Sequence, residues 1–415
     1  MTDHSAETPH TLPPQPNLRH LKDQAKEFLK AGRATSLAKA QLILARGYGF
    51  ASWPKLKAHV ESLEEVGQLK LAIDANDLAR VQSLMTHNPT LHRAPLGYNG
   101  NGPLTWVAEC RIPWEGPSQA RLEIAQWMID HGSEVHQGSD GPLMRAALVG
   151  LRIPMMELLV RNGADVNAEW DGYFPILFAP CETVDPLALK WLLDHGANPH
   201  CAKAGRKFPD NALDYVIGTY SRSAALGECI DILLKAGCVS RRKVPALVEM
   251  LRGRIDLLAQ QLDANPELVH RRFPELDFGS TCYRRLTLRG STLLHVAAEY
   301  GNVDAASLLL DRGADVNGKA QINESGVGGQ TPVFHAATQL NDWGLKVIEL
   351  LVERGADLSI RAKIPGHYER PDEVVDCTPL EYAVMFPGQE NKTVEFLRAA
   401  GSGATVRNPN SEAVK

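Results

Sequence analysis

Two stretches of nine residues decide the fold: Gly290–Ala298 reads GSTLLHVAA, and Gly329–Ala337 reads GQTPVFHAA. Each is typical of the start of a helix, because the threonine side chain can cap the first turn and a proline just inside that turn loses no useful N–H. The paired alanines let a neighbouring helix approach closely. Recurrence of this helix-start phrase indicates an internal repeat, which has to be recognised before any single element is assigned.

A second phrase marks the end of each predicted helix pair. Gly163–Asn167 and Gly313–Asn317 both read GADVN, and looser copies begin at Gly132, Gly196 and Gly355. The glycine can supply a left-handed C-cap, and Asp and Asn suit the tight turn that follows. One turn plus two short antiparallel helices, at a period of about 33 residues, is therefore the predicted unit.

The two phrases occur in the same order along the chain and carry a family resemblance. Thr331-Pro332, Leu294–Ala298 and the Gly-Ala-Asp-Val-Asn turns resemble the ankyrin-repeat family over roughly Gly67–Gly401. The resemblance implies an all-α solenoid of about nine helix-turn-helix repeats, with hairpin loops that project toward a concave face.

Two irregular units divide the predicted array. Asn88-Pro89 and Asn265-Pro266 stand where the other units have Gly-Ala-Asp, and a long loop follows each. We interpret them as the openings of two sub-arrays, residues 67–243 and 244–402, with a bend or twist near Arg241–Pro245.

Residues 17–66 are predicted to be a separate helical module. Apolar residues fall at helical spacing after Asn17, and Ser52-Trp53-Pro54 starts a further helix. Because the end of a solenoid would otherwise expose an apolar face, we expect this module to cap the first repeat. Asn17–Leu21 (NLRHL) together with Tyr48–Trp53 (YGFASW) is similar to a family of bacterial ankyrin-repeat proteins, and that resemblance implies no settled function.

Composition and charge exclude several classes of protein. The 415 residues carry a net charge of -5, which gives no long-range attraction for nucleic acid or anionic membrane. No apolar run approaches the roughly 18 residues of a membrane span, and residues 1–16 do not have the pattern of a secretory signal. The seven cysteines are scattered and never form C-x-x-C. We therefore expect a cytoplasmic monomer with no disulfide frame, no metal site and no cofactor, and disordered ends at residues 1–16 and 403–415.

A concave groove lined by aromatic side chains is the leading hypothesis for the functional site. The residue after the histidine position of each helix-start phrase is expected to face this groove. That position is occupied by Trp106, Arg145, Phe178, Tyr215, Val296, His335 and Tyr382. The alternative is that these side chains pack between adjacent helices.

Four hairpins are longer than the repeat requires: Arg111–Ala120, Phe278–Gly290, Gln321–Gly329 and Lys363–Asp376. Insertions in solenoids commonly lie on one face, often the binding face, although neutral drift of loop length is the alternative. The hairpins and neighbouring turns complete the candidate ligand-binding set, with Trp114, Tyr173, Arg284, Arg285, Trp343, His367 and Tyr368.

The sequence leaves two function classes open. The first is a non-enzymatic scaffold that binds a protein, a peptide or a small ligand in the groove. The alternative is a small-molecule enzyme of hydrolase or lyase type, or a resistance protein, in which the long hairpins fold inward into a pocket. A third option is an injected bacterial effector. No nucleophile elbow, P-loop, dinucleotide fingerprint or H-E-x-x-H motif supports the enzyme.

Carboxylates and histidines near the predicted groove keep the enzyme alternative open. Two carboxylates held roughly 5 to 10 Å apart could act as an acid and base pair, and His335, His367 and Tyr368 could transfer a proton. The carboxylates are Glu109, Asp214, Glu299 and Glu381. Ordinary solvated side chains are the alternative for the carboxylates. His295, in the helix-start phrase, is expected to tie neighbouring hairpins together by hydrogen bonds.

Overall fold

The structure, a computed structural model, describes residues 11–13, 16–96, 100–109, 116–201, 211–279, 284–367, 369–370, 372–385 and 391–401. The predicted disordered ends lie almost entirely outside these residues. Contacts group the chain into two compact units: unit 1 is residues 1–146 and 151–165, and unit 2 is residues 147–150 and 166–415.

Unit 1 is built from helices that pack in sequential pairs. They are α1 (Leu18–Lys30), α2 (Leu37–Gly47), α3 (Trp53–Asp74), α4 (Leu78–His87), α5 (Pro103–Glu109), α6 (Gln119–Asp130), α7 (Gly141–Ala146) and α8 (Ile153–Arg161). The pairs are α3 with α4, α5 with α6 and α7 with α8. The first helix of each pair also contacts the first helix of the next, and second helices contact second helices. This two-layer stacking is the arrangement expected of a repeat solenoid.

Unit 2 continues the same pairing. Its elements are β1 (Glu169–Trp170), β2 (Phe174–Pro175), α9 (Phe178–Thr183), α10 (Pro186–Asp194), α11 (Ala212–Gly218), α12 (Leu226–Lys235), α13 (Pro245–Leu251), α14 (Ile255–Ala264), α15 (Leu293–Glu299), α16 (Val303–Asp311), α17 (Pro332–Ala336), α18 (Leu345–Glu353), β3 (Ala362–Pro365), β4 (Val374–Cys377), α19 (Pro379–Val384) and α20 (Lys392–Gly401). The strands form two short antiparallel ladders, β1 with β2 and β3 with β4.

The two recurring phrases take the predicted conformations. Thr292 is the N-cap of α15 and shares a capping box with His295. Gly163 and Gly313 follow α8 and α16 with φ of +100° and +89°, in the left-handed region that favours glycine. The irregular Asn88-Pro89 and Asn265-Pro266 instead lead into short 3-10 helices. The prediction of an all-α ankyrin-type array is confirmed.

The N-terminal module joins the repeats differently from the prediction. The expected boundary at residues 66 and 67 lies inside α3, which runs unbroken from Trp53 to Asp74. The module has a buried core of its own: Leu21, Ala25, Ala40, Leu44, Ala45, Leu56 and Val60. Leu71 of the first repeat stays 71% exposed. Helix α3 therefore belongs both to the module and to the first repeat. The apolar residues of the module pack against one another.

The predicted boundary between the two sub-arrays, near Arg241–Pro245, is spanned by buried ion pairs. The Arg242 guanidinium lies 2.9 Å from an Asp214 carboxylate oxygen and 3.1 Å from one of Asp277. Farther along, Arg222 pairs with Glu299 at 2.7 Å. These contacts join residues on both sides of position 243, and the division into two sub-arrays at that position stays a prediction.

None of the described helices is long and apolar enough to cross a membrane. Among the described residues, no group of three or more His, Cys, Asp or Glu is arranged to hold a metal ion.

Candidate functional site

The position predicted to face a groove is mostly buried. Trp106, Phe178, Val296, His335 and Tyr382 are each at most 7% exposed, whereas Arg145 and Tyr215 are half-buried. First helices of successive pairs contact each other directly, so a side chain at this position meets the next helix before it meets solvent. Packing between helices, the alternative for this position, therefore describes these five residues.

Trp106 and Tyr215 have specific partners within their own units. The Trp106 indole N–H donates to an Asp74 carboxylate oxygen at 2.7 Å, and the Lys70 ammonium lies 4.0 Å from the ring centroid. Tyr215 stacks on Phe178 with ring centroids 4.5 Å apart. Its hydroxyl donates to Glu182 at 3.2 Å. Burial and the nearby Glu182 charge raise the pKa of Tyr215.

The other predicted site residues are dispersed. Tyr173 is half-buried in the turn between β1 and β2. Trp343 lies in the connection between α17 and α18, is 38% exposed, and donates its indole N–H to the Tyr300 carbonyl at 2.9 Å. Trp114, Tyr368 and residues 111–115 of the Arg111–Ala120 hairpin lie outside the described residues.

Glu299, at the end of α15, is the centre of a buried polar cluster. His335 Nδ1 lies 2.7 Å from one carboxylate oxygen. The other oxygen accepts from Gln339 at 3.0 Å and from Arg222 at 2.7 Å, and Arg284 lies 3.5 Å from it. The chain separation of 77 residues between Arg222 and Glu299 gives this cluster no local sequence signal.

The charge state of this cluster suits structure better than proton transfer. Burial acts to raise the pKa of Glu299, but the Arg284 and Arg222 charges and the hydrogen bond from His335 outweigh it and lower the pKa to about 2. Burial lowers the pKa of His335. Because a carboxylate held ionised by two guanidinium groups accepts no proton near neutral pH, Glu299 is a poor general base.

The remaining carboxylates of the enzyme alternative are on separate helices with their own partners. Asp214 accepts from the Ser240 hydroxyl at 2.8 Å and pairs with Arg242. Glu381 is in the capping box of α19 and pairs with Arg361 at 2.9 Å. Glu109 is buried in α5. These contacts hold hairpins and helix ends in place.

Three of the four long hairpins adjoin one another, as expected for insertions on one face. The Gly328 N–H donates to the Lys363 carbonyl at 2.6 Å, and the Gln321 N–H donates to the Gly290 carbonyl at 2.9 Å. Arg284 and His367 form an antiparallel bridge. A Cβ on Gly328 would lie 2.3 Å from the Gln321 carbonyl oxygen, so the close approach requires glycine.

These hairpins enclose a cleft of 360 Å³, here called the hairpin cleft; its lining includes Leu286, Arg289, Asn323, Val327, Gln330 and Ile364. Leu286 and Ile364 are buried and give it an apolar floor. The Gln330 side chain is 4% exposed, and its Oε1 has no hydrogen-bond partner among the described residues. Arg289 is exposed. The cleft thus combines an apolar floor, a buried acceptor and a cation.

Sequence reasoning selected the hairpins but missed most of the lining residues. From Arg285 to Arg289 the side chains alternate exposed, buried, exposed, buried, exposed. This period of two is the signal of an extended segment with one face inward. This alternation would have predicted that Leu286 faces inward and that Arg285 faces solvent.

His295 has the tying role expected for it. Its Nε2 lies 3.0 Å from the Gln330 carbonyl oxygen in the next hairpin, and its Nδ1 accepts from the Thr292 N–H at 3.2 Å. His295 therefore holds the backbone of Gln330, a residue that lines the hairpin cleft, in place.

Comparisons with known proteins agree with this architecture. A family model for ankyrin repeats, in three copies, matches residues 255–362. The human ankyrin repeat domain-containing protein SOWAHD is 29% identical over 177 residues, which are 42% of this chain and 48% of that protein. Its mouse counterpart is 29% identical over 149 residues, 35% of this chain and 41% of that protein. The chain spans about half the length of these curated relatives.

One solved structure has a weaker overall likeness. The crystal structure of the human ASB11 ankyrin repeat domain is 22% identical, with a TM-score of 0.31, and the match covers 72% of this chain and 97% of that one. The two curated relatives are mammalian, so the resemblance to bacterial proteins stays a prediction.

Proposed function

Because the chain carries ankyrin repeats, we propose that it is a protein-binding module and that an extended segment of the partner occupies the hairpin cleft. Ankyrin repeats generally mediate interactions between proteins. The finer assignment to this cleft is supported by the three adjoining hairpins that bound it.

The buried acceptor of Gln330 is the single observation that carries the proposal. A buried carbonyl oxygen without a hydrogen bond costs about 1 to 3 kcal/mol, and a backbone N–H of a bound segment would recover part of that. Gln330 Nε2 already donates to the Thr287 carbonyl at 3.4 Å, which leaves Oε1 for a ligand. The apolar floor of Leu286 and Ile364 suits an apolar side chain on the same segment.

Charge at the cleft favours an acidic partner. Arg289 is the charged side chain in the lining of the cleft. Elsewhere on the hairpins the exposed cations Arg285 and Lys363 are accompanied by exposed acids, which are Glu324, Glu369, Asp372 and Asp376. The lining of the cleft is therefore positively charged, in a chain of net charge -5. Complementary charge at an interface raises the association rate and selects among partners.

The test is affinity capture from a native lysate with quantitative protein and metabolite mass spectrometry. The full-length protein is compared with Arg289→Glu and with the control Lys235→Glu, which reverses an exposed charge on α12. We expect a set of proteins whose recovery falls about tenfold with Arg289→Glu, as a loss of 1.4 kcal/mol would produce, and is unchanged with the control. Recovery of the same proteins by all three, or of a metabolite alone, would overturn the proposal.

The compartment can be proposed on the thiols. Cys181, Cys229, Cys238 and Cys377 are buried cysteines with free thiols. Burial raises the pKa of Cys229 to about 12, which keeps it an unreactive thiol. Free thiols support a reducing compartment, and we propose the cytoplasm.

A further inference from the structure

We propose that the N-terminal module, α1, α2 and the start of α3, is a second binding site that takes an acidic amphipathic helix of a partner protein. This site is in unit 1 and is separate from the hairpin cleft.

A cleft in the module has the size and lining for such a helix. It has a volume of 730 Å³ and is lined by Gln24, Phe28, Arg33, Ile43, Leu44 and Tyr48; we call it the module cleft. Ligand pockets in proteins typically measure about 300 to 1,000 Å³. Phe28, Ile43 and Leu44 give this cleft an apolar part, and Gln24 and Arg33 give it a polar part. The side chains come from α1, α2 and the segments that follow them, so the cleft lies along two helices, as a helix-binding groove does.

The packing of the module argues for a role beyond capping. A cap would place its apolar residues on the end repeat, but the buried core of the module comes from residues 21–60 alone, and Leu71 of that repeat is left 71% exposed. The module also keeps Ile43 45%, Leu37 40% and Leu29 37% exposed. Of these three, Ile43 lines the module cleft, where a bound apolar side chain would cover it.

Charge around the module cleft specifies the sign of the partner. Residues 17–47 contain seven Lys and Arg against two Asp and Glu, in a chain of net charge -5. The Arg33 guanidinium lies over the Phe28 ring, 5.4 Å from its centroid. Lys39 and Arg46 are four residues before and three after Ile43, so they flank it on the α2 surface.

The acids on these helices do not cancel this charge. Asp23 pairs with Lys26 at 2.9 Å, and Glu27 is exposed on α1. Arg33, Lys39 and Arg46 therefore remain as the excess positive charge beside the apolar lining. Carboxylates on the flanks of a bound helix would meet these cations while its apolar side chains enter the cleft.

The concave shape favours a protein helix over two other anionic partners. A bilayer surface is bound by an apolar face that inserts into it, whereas here Phe28, Ile43 and Leu44 line a depression. Nucleic acid is bound chiefly through its phosphates, and these contacts do not require apolar side chains in the cleft. Both partners are included as outcomes of the test.

The test is a selection of random 16-residue peptides displayed on phage, with the full-length protein as bait. Counter-selection uses the double variant Arg33→Glu/Arg46→Glu. We expect enriched peptides that are acidic and carry apolar residues at i and i+4 on one helical face. A labelled synthetic copy should bind about tenfold more weakly to Ile43→Ser and to the double variant, and equally well to Arg289→Glu and Lys235→Glu.

Several results would overturn the inference. They are enrichment of basic or non-amphipathic peptides, no enrichment over the counter-selection, and no loss of binding with Ile43→Ser. Phosphatidylserine vesicles or single-stranded DNA that bind the protein and lose binding with the double variant, when no peptide does so, would assign the module to a membrane or a nucleic acid instead. Since Arg33, Ile43 and Arg46 are exposed, circular dichroism should show all variants folded. Retained peptide binding by Arg289→Glu would separate this site from the hairpin cleft.

Discussion

Two regions of unit 2 are tied together by different chemistry. In the regular stretch, helices α15 to α18, the neutral His295 bridges its own N-cap and the Gln330 carbonyl of the next hairpin. The second region, here called the junction, consists of the contacts of Arg222 and Arg242. Asp214 occupies there the position that His295 occupies in its own helix-start phrase. It reaches the next hairpin through Ser240 and the buried Arg242.

The difference shows that the contact between a helix start and the next hairpin can be made by a neutral or by a charged side chain. An imidazole that hydrogen-bonds to backbone on both sides leaves no buried charge. A buried carboxylate needs a buried cation, and that cation in turn contacts Asp277 in the junction. We therefore expect the junction to lose more stability than the regular stretch when one member of a tie is removed.

The largest expected effect is for Glu299→Gln. This change leaves Arg222 and Arg284 buried without their anion, and breaking a buried ion pair typically costs about 3 to 5 kcal/mol. Urea unfolding followed by circular dichroism measures the loss. Glu381→Gln is the control, since its pair with Arg361 is half-exposed and such pairs contribute little. Equal effects of the two variants would contradict the role assigned to the buried cluster.

Acid should weaken the neutral tie of His295 and the buried ion cluster of Glu299 in different pH windows. Burial lowers the pKa of His295 to about 3 from its usual 6.5, so its contribution to stability is complete above pH 6.5 and declines as the pH falls toward 3. The pKa of Glu299 is lowered to about 2 from 4.5, so its contribution is present above pH 4.5 and is lost only below that.

The melting temperature measured between pH 7 and pH 3 tests this separation. His295→Asn should flatten the decline that begins near pH 6.5, and Glu299→Gln should flatten only the part below pH 4.5. The buried His335, whose pKa is also lowered, should leave a smaller decline in His295→Asn. A decline near pH 6 of the same size in this variant and in wild type would show that His295 does not contribute to it.

The smallest effect is expected for the turn glycines of the regular stretch. Gly313 has a φ of +89°, and a Cβ there would meet no atom within 4 Å. Gly313→Val should therefore cost about 1 kcal/mol from backbone strain alone. Gly313→Asn should cost less, because asparagine tolerates the left-handed region. Differential scanning calorimetry compares the two variants. An identical melting temperature for Gly313→Val and wild type would show that position 313 does not require the left-handed conformation.

The features predicted from the sequence are those encoded in a few consecutive residues. Thr292 and His295 form a cap because their groups are three residues apart, and Gly163 and Gly313 take positive φ because the turn requires it. The long hairpins adjoin because repeats of one period place equivalent loops side by side. These local rules were sufficient for the fold and for the face that carries the hairpin cleft.

The features missed depend on residues far apart in the chain. Nothing near Arg222 indicates a carboxylate 77 residues later, so the ion pairs of the junction could not be predicted from the sequence. Burial of Phe178, His335 and Tyr382 follows from how closely first helices stack, which the helix-start phrase does not encode. The continuity of α3 was missed because Gly67 was interpreted as a boundary, although a helix tolerates an isolated glycine at about 1 kcal/mol.

Hydrogen exchange of the full-length protein, alone and with the captured partner, tests the central claim most directly. The proposed function predicts slower exchange of backbone amides in residues 284–290, 321–330 and 361–367, which form the walls of the hairpin cleft. Unchanged exchange in these three segments, with protection confined to the second helices such as α10 and α12, would contradict it.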